Sequence, residues 1–169
     1  MMRVCARRDK AARLLLRLCF CWMTFFDQPA LSQPPAPTDS IMVAYKRLLD
    51  IGKRIIAIEK DLLLLSDTRD PEWNTISELR SSSNITMVHL AYARDVLWLY
   101  RSMSSARDRE NVRKHVDGTL KEQVGYLENQ LLASNAAATF TSRPEIVSTA
   151  TQLKNAIRES IDVLNAVQL

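Results

Sequence analysis

The chain has 169 residues, a formal charge of +4, three cysteines and three glycines. Scattered glycines exclude a P-loop or a dinucleotide-binding turn, both of which need them clustered so that backbone amides can approach phosphate. The excess charge invites a nucleic-acid partner, but it is confined to one end. Residues 1–32 hold six bases and two acids, which leaves seventeen of each in the rest of the chain. Without that segment the protein is neutral, and the argument for nucleic acid goes with it.

The first residues place Arg3, Arg7, Arg8, Lys10 and Arg13 ahead of an apolar block that ends in Leu18–Phe26. Asp27-Gln28-Pro29-Ala30-Leu31-Ser32 follows. A positive region, an apolar region and small residues at the cut are the order of a secretory signal, with cleavage expected after Ser32. A transmembrane anchor needs about 20 apolar residues, and the run closed by Asp27 is far shorter. A mitochondrial transit peptide is also Arg-rich and poor in acids, but the unbroken apolar block and the Ala30/Ser32 pair favour export. A lipoprotein needs small residues before its cysteine, whereas Cys19 follows Leu18 and Cys21 follows Phe20. The bland alternative is a start codon placed too early. Three segments are expected: a cleavable signal over 1–32, a Pro-rich spacer over 33–38 and a helical domain over 39–169. The expected location is periplasmic or secreted, with no integral membrane segment after cleavage.

Cys5, Cys19 and Cys21 all fall in the signal. The remaining chain forms no disulfide, binds no metal through thiolate and has no cysteine nucleophile. It must be held by packing alone, and its length is sufficient to bury well over half its surface.

Gln33-Pro34-Pro35-Ala36-Pro37 reads as an extended spacer. A helix is then predicted over Asp39–Leu65, capped by Thr38. Ile41, Tyr45, Leu48, Gly52, Ile55, Ile56, Glu59, Leu62 and Leu63 follow its helical spacing, with Asp50 and Arg54 as an outer ion pair. Asp70-Pro71-Glu72 is a start signal, a capping acid followed by proline at the first helical position. The second helix carries Trp73, Ile76, Leu79, Met87, Leu90, Ala91, Leu97 and Trp98. A third carries Val112, Val116, Leu120, Val124, Leu127 and Leu131. Ser142-Arg143-Pro144-Glu145 matches a capping box and opens the fourth, with Ile146, Ala150, Leu153, Ile157, Ile161 and Leu164 in one stripe.

The boundary between the second and third helices has two candidates. Asp117-Gly118 precedes another capping-box match, Thr119–Glu122, while Ser102–Ser105 is rich in serine. A turn at Ser102–Ser105 gives helices of comparable length, and the apolar phase runs undisturbed through Gly118. The expected fold is therefore all-α, an antiparallel four-helix bundle with room for a kink at Gly118. A long helical hairpin with flanking helices is the alternative.

No residue in this domain is nominated for catalysis, metal binding or cofactor binding. His89 and His115 lack the Glu-x-x-His spacing of bundle di-iron sites, and there is no His-Glu-x-x-His or haem-attachment motif. A haem held by one histidine and Met42, Met87 or Met103 is weaker than the structural reading, in which such residues are solvated or fill the core. Asn84-Ile85-Thr86 matches a glycosylation sequon but falls inside a helix, and is read as chance.

The unusual stretch is His89–Arg101, with Tyr92, Trp98 and Tyr100, two arginines and apolar residues all round the helix. It reads either as the central helix of the bundle or as a helix with one side for a partner or a second copy. Leu62–Leu65 likewise exceeds what one stripe needs, as an end cap of the core or an exposed patch. The function expected from these features is an exported, non-enzymatic bundle acting through protein partners or a homo-oligomer. The alternative is a small-molecule or haem-type ligand in the bundle interior.

Overall fold

In a computed structural model that describes residues 38–66 and 69–169, four helices follow one another with short connections. They are α1 (Thr38–Leu65), α2 (Trp73–Ser102), α3 (Ala106–Ala138) and α4 (Pro144–Asn165). The expected signal and nearly all of the spacer lie outside the described residues. Among the described residues there is no strand, and the fold is an all-α four-helix bundle.

Each helix forms because one stripe of apolar side chains recurs every three or four residues. On α1 this stripe is Ile41, Ala44, Leu48, Ile51, Ile55, Ile58 and Leu62, all buried. Consecutive helices pack together, and α1 also packs on α4, which closes the ring. Antiparallel neighbours meet at opposite ends of their numbering. On α1 and α2, Gly52 lies against Met87 and Tyr45 against Trp98. On α2 and α3, Ser82 meets Ser134 and His89 meets Gln123. Leu97, Leu127, Leu153 and Ile157 meet the α1 stripe in a common core.

The break between α2 and α3 falls at Met103–Ser105, the serine-rich candidate, and α3 runs on through Gly118 and Thr119–Glu122. Ser105 caps α3, its hydroxyl accepting from the Asp108 N–H at 3.2 Å. A β carbon at Gly118 would meet nothing within 4 Å, so this glycine reflects an open surface position and needs no turn. The single-hairpin alternative is thereby set aside.

Three local expectations are corrected. Asp70 does not cap α2 with Pro71 as its first residue. Its Oδ1 instead accepts from the Glu72 N–H at 2.9 Å in a turn over residues 70–72, and the helix begins at Trp73. The Ser142–Glu145 capping box does not form either, because Arg143 occupies the N-cap position with no side-chain cap. Here tertiary pairing outweighs the local cap, since Arg143 donates to Asp70 across the two loops at this end of the bundle. The third concerns α1, where Asp50 pairs with Lys53 while Arg54 reaches Glu159 on α4. An exposed i,i+4 pair contributes only about 0.2–0.5 kcal/mol, too little to outweigh a partner on the neighbouring helix.

The Asp70–Arg143 link carries a pH dependence. The Glu72 backbone N–H, and after it Arg143, hold the Asp70 carboxyl below its ordinary value of 3.8, although its partial burial pulls the other way. A carboxyl depressed in the folded state contributes stability that is complete above the ordinary value and lost as pH falls through the folded one. Asp70→Asn should therefore melt below the wild type at neutral pH, and the two melting curves should converge as pH is lowered past about 4. A gap that stays constant into acid would assign the loss to packing.

Ser83 is fully buried, and its hydroxyl has no hydrogen-bond partner. An unpaired buried hydroxyl costs about 1–3 kcal/mol of desolvation. Ser83→Ala should accordingly stabilise the bundle by about 1 kcal/mol, read as a higher urea midpoint at unchanged slope.

Candidate interaction surface

The aromatic-rich stretch of α2 divides into two faces. Leu90, Ala93, Leu97 and Tyr100 are buried, while Tyr92, Trp98 and Leu99 are exposed. With Ile85 and Val88, which are also exposed, they give this helix an apolar outer side as well as an apolar core side. Val88 at 66 % and Leu99 at 61 % lie almost opposite the core stripe. Single exposed apolar residues are ordinary on any surface, whereas several on one face of one helix form a patch.

Trp98 brings this apolar surface to the α1 side of α2, whereas Ile85, Tyr92 and Leu99 flank the His89 side that meets α3. The seam between the two helices is made by Tyr45, Gly52 and Glu59 of α1 against Trp98, Met87 and Arg80 of α2. A β carbon at Gly52 would meet Met87 at 3.7 Å, an ordinary van der Waals contact, so the seam has room there for a methyl group. One turn further round α1, away from the core, come Leu49, Ile56 and Leu63. Ile56 and Leu63 are about half exposed, which corrects their expected place in the core stripe. Beside them Lys46, Lys53 and Lys60 are all exposed. Lys53 pairs with Asp50, and among the described residues no acid lies within ion-pair distance of Lys46 or Lys60.

The Leu62–Leu65 excess is resolved in the same way. Leu62 is buried, whereas Leu63 is half exposed and Leu64, at 85 %, is open to solvent. Leu64 and Phe140 belong to the same end of the bundle, close to the α1–α2 and α3–α4 connections.

On its other side α2 meets α3 through polar and small residues. Ser82 Oγ and Ser134 Oγ are 2.8 Å apart, both buried, and Thr86 donates to the Ser82 carbonyl at 2.8 Å. Lower down, His89 Nδ1 lies 2.8 Å from Gln123 Oε1, and its ring stacks on Tyr126 at 4.5 Å. His89 therefore has structural partners on α3, while Met87 faces α1, so the two diverge to opposite flanks of α2. His115 is exposed on α3 beside an open depression that Asn111, Lys114 and Glu122 also line. Among the described residues no three His, Cys, Asp or Glu side chains converge as metal ligands. The sequon is placed on the bundle surface at Asn84, but its Thr86 hydroxyl is buried and committed to the backbone.

The α1 half of the patch was nominated from the sequence only at Leu63, within the Leu62–Leu65 excess. Its signal was there in the seven-residue spacing of Leu49, Ile56 and Leu63, which merges with the core stripe until the packing separates them. No family model, curated protein or solved structure matches the chain.

Proposed function

We propose that this chain is an exported, non-catalytic helical bundle that works in the cell envelope by binding another protein. The observation that carries the contact reading is the outward face of α2, where Val88, Tyr92 and Leu99 stand exposed on the side away from the core. Exposed apolar side chains make no contribution to packing, and large patches on soluble domains mark interaction sites. Aromatic residues such as Tyr92 and Trp98 are the types that dominate binding energy when a partner desolvates them. The order of charge, apolar block and small residues in 1–32 supports export. Among the described residues no helix is long and apolar enough to cross a membrane, in keeping with a domain released by cleavage.

The test is a capture experiment on cell-envelope extract with the wild-type protein and Val88→Asp in parallel. Val88 is exposed, so the substitution leaves the core alone and both proteins should melt together. A partner held by the wild type and lost by the variant supports the reading. An identical set of captured proteins, or none from either, overturns it. Export is tested separately by N-terminal sequencing of the protein from its native host, where a start near Gln33 is expected and an intact Met1 would sink it.

A further inference from the structure

The outward side of α1 carries two interlaced columns. Leu49, Ile56 and Leu63 recur every seven residues, and so do Lys46, Lys53 and Lys60. Seven residues make nearly two helical turns, drifting only about 20° per repeat, so each column runs almost straight along the helix. Each lysine has an apolar residue three positions on, which sets the columns side by side. The apolar side chains emerge progressively along the helix. Leu49 is half-buried, Ile56 and Leu63 are 49 % and 54 % exposed, and Leu64, one turn beyond Lys60, is 85 % exposed. The acids of this stretch lie off the face. Glu59 sits in the α2 seam with Arg80, and Asp61 shares the column of Arg54, which meets α4. Asp50 reaches Lys53 from that same flank, and Lys46 and Lys60 have no acid within ion-pair distance among the described residues.

We propose that this side of α1 rests on an anionic phospholipid surface, with Ile56, Leu63 and Leu64 between the headgroups and the three lysines on the phosphates. It is a second surface, independent of the protein contact assigned to the outer face of α2. A helix that lies on a bilayer has this makeup, an apolar line entering the headgroup boundary by about 5–10 Å and a basic fringe beside it. Lysine suits the fringe because its long stem lies along apolar surface while the ammonium stays among charged oxygens. Each lysine near an anionic leaflet contributes about fivefold in affinity, and a column of three needs no pocket to do so.

Charge and shape choose this occupant over three others. A second copy would bring the same acid-free face and set lysines against lysines. Residues 1–32 carry six bases against two acids, so they would bring like charge to the column. A protein partner would need a concave surface fitted to the ridge of one helix, with acids along one edge. A bilayer yields around a convex ridge and is anionic throughout.

The experiment footprints the lysines of the full chain by acetylation and mass spectrometry, with and without phosphatidylglycerol vesicles. Residues 1–32 are themselves basic, so the readout is local to α1. Labelling of Lys46, Lys53 and Lys60 should fall several-fold on these vesicles, while Lys114 and Lys121 on α3 keep the rate of the free protein. Phosphatidylcholine vesicles should change none of them. Ile56→Gln/Leu63→Gln/Leu64→Gln should abolish the protection with the melting temperature unchanged. Lys46→Gln/Lys53→Gln/Lys60→Gln should bind the anionic vesicles on the order of a hundredfold more weakly. Vesicles that bind the chain but leave the three lysines labelled as in the free protein overturn the proposal, since another segment then holds the membrane. Uniform protection of every lysine, or equal protection on both lipids, also overturns it. So does protection without lipid, whether it rises with protein concentration, as a second copy requires, or follows addition of a soluble acidic helical peptide. Val88→Asp should leave the footprint intact, so the lipid and protein readings fail separately. Loss of the footprint in that variant would move the lipid contact to α2 and overturn the assignment.

Discussion

Leu97→Ala should cost this bundle about 2–5 kcal/mol, while Leu99→Ala, two residues along the same helix, should stay within about 0.5 kcal/mol. Leu97 is 0 % exposed and belongs to the core shared by all four helices. Its truncation removes transfer free energy and leaves a cavity, because helices locked on both sides relax only in part. Leu99 is 61 % exposed on the outer side of α2, so folding removes little of its surface from water and its truncation opens no cavity. Urea denaturation of the two variants measures the contrast. Equal losses would mean that the outer face of α2 is covered in the folded protein, as it would be in an obligate dimer. In that case the outcome would depend on protein concentration.

The second large effect is expected at the α2–α3 seam. Ser134 is 0 % exposed, and its hydroxyl touches that of Ser82 at 2.8 Å. Two readings explain a serine there: the hydrogen bond is needed, or the helix backbones run too close for anything larger. The first predicts that Ser134→Ala loses about 1 kcal/mol and that larger apolar residues do little worse. The second predicts that Ser134→Leu loses at least about 1–3 kcal/mol through overpacking, well beyond alanine. Closeness should decide, because Ser82 keeps the Gln130 carbonyl as an acceptor at 3.3 Å when Ser134 loses its hydroxyl. Calorimetric melts of both variants measure this, and an alanine variant less stable than the leucine one would reverse the assignment.

Much of this fold could be read in advance, for a physical reason. Helical periodicity is local, so Leu153, Ile157 and Leu164 announce their stripe without knowledge of what they pack on. The turn at Ser102–Ser105 was also readable, because comparable helix lengths allow each apolar stripe to be covered along its whole extent. The caps were less legible. Asp70 and Ser142 both have the right chemistry for a helix start, but Arg143 connects the two loops, and a partner more than seventy residues away has no local signature. Asp50–Arg54 was misread likewise, because Glu159 approaches Arg54 only once α1 and α4 have packed.

The candidate surface shows the same division. The His89–Arg101 stretch was conspicuous from its aromatics, and its apolar residues all round the helix left two readings open. Packing resolved them residue by residue, burying Leu97 and Tyr100 and leaving Trp98 and Leu99 out. Ile56 and Leu63 fit the helical spacing of the α1 core stripe, and only the approach of α2 along Tyr45, Gly52 and Glu59 puts them outside it.

From sequence alone came the confinement of cysteine and net charge to residues 1–32, the helical class, and the stripes that had to be buried. These follow from composition and from backbone periodicity, which act over a few residues. Which apolar residues remained outside and which arginine held which acid belong to the tertiary structure. They depend on which helix becomes whose neighbour, and a 3.6-residue period leaves that choice open.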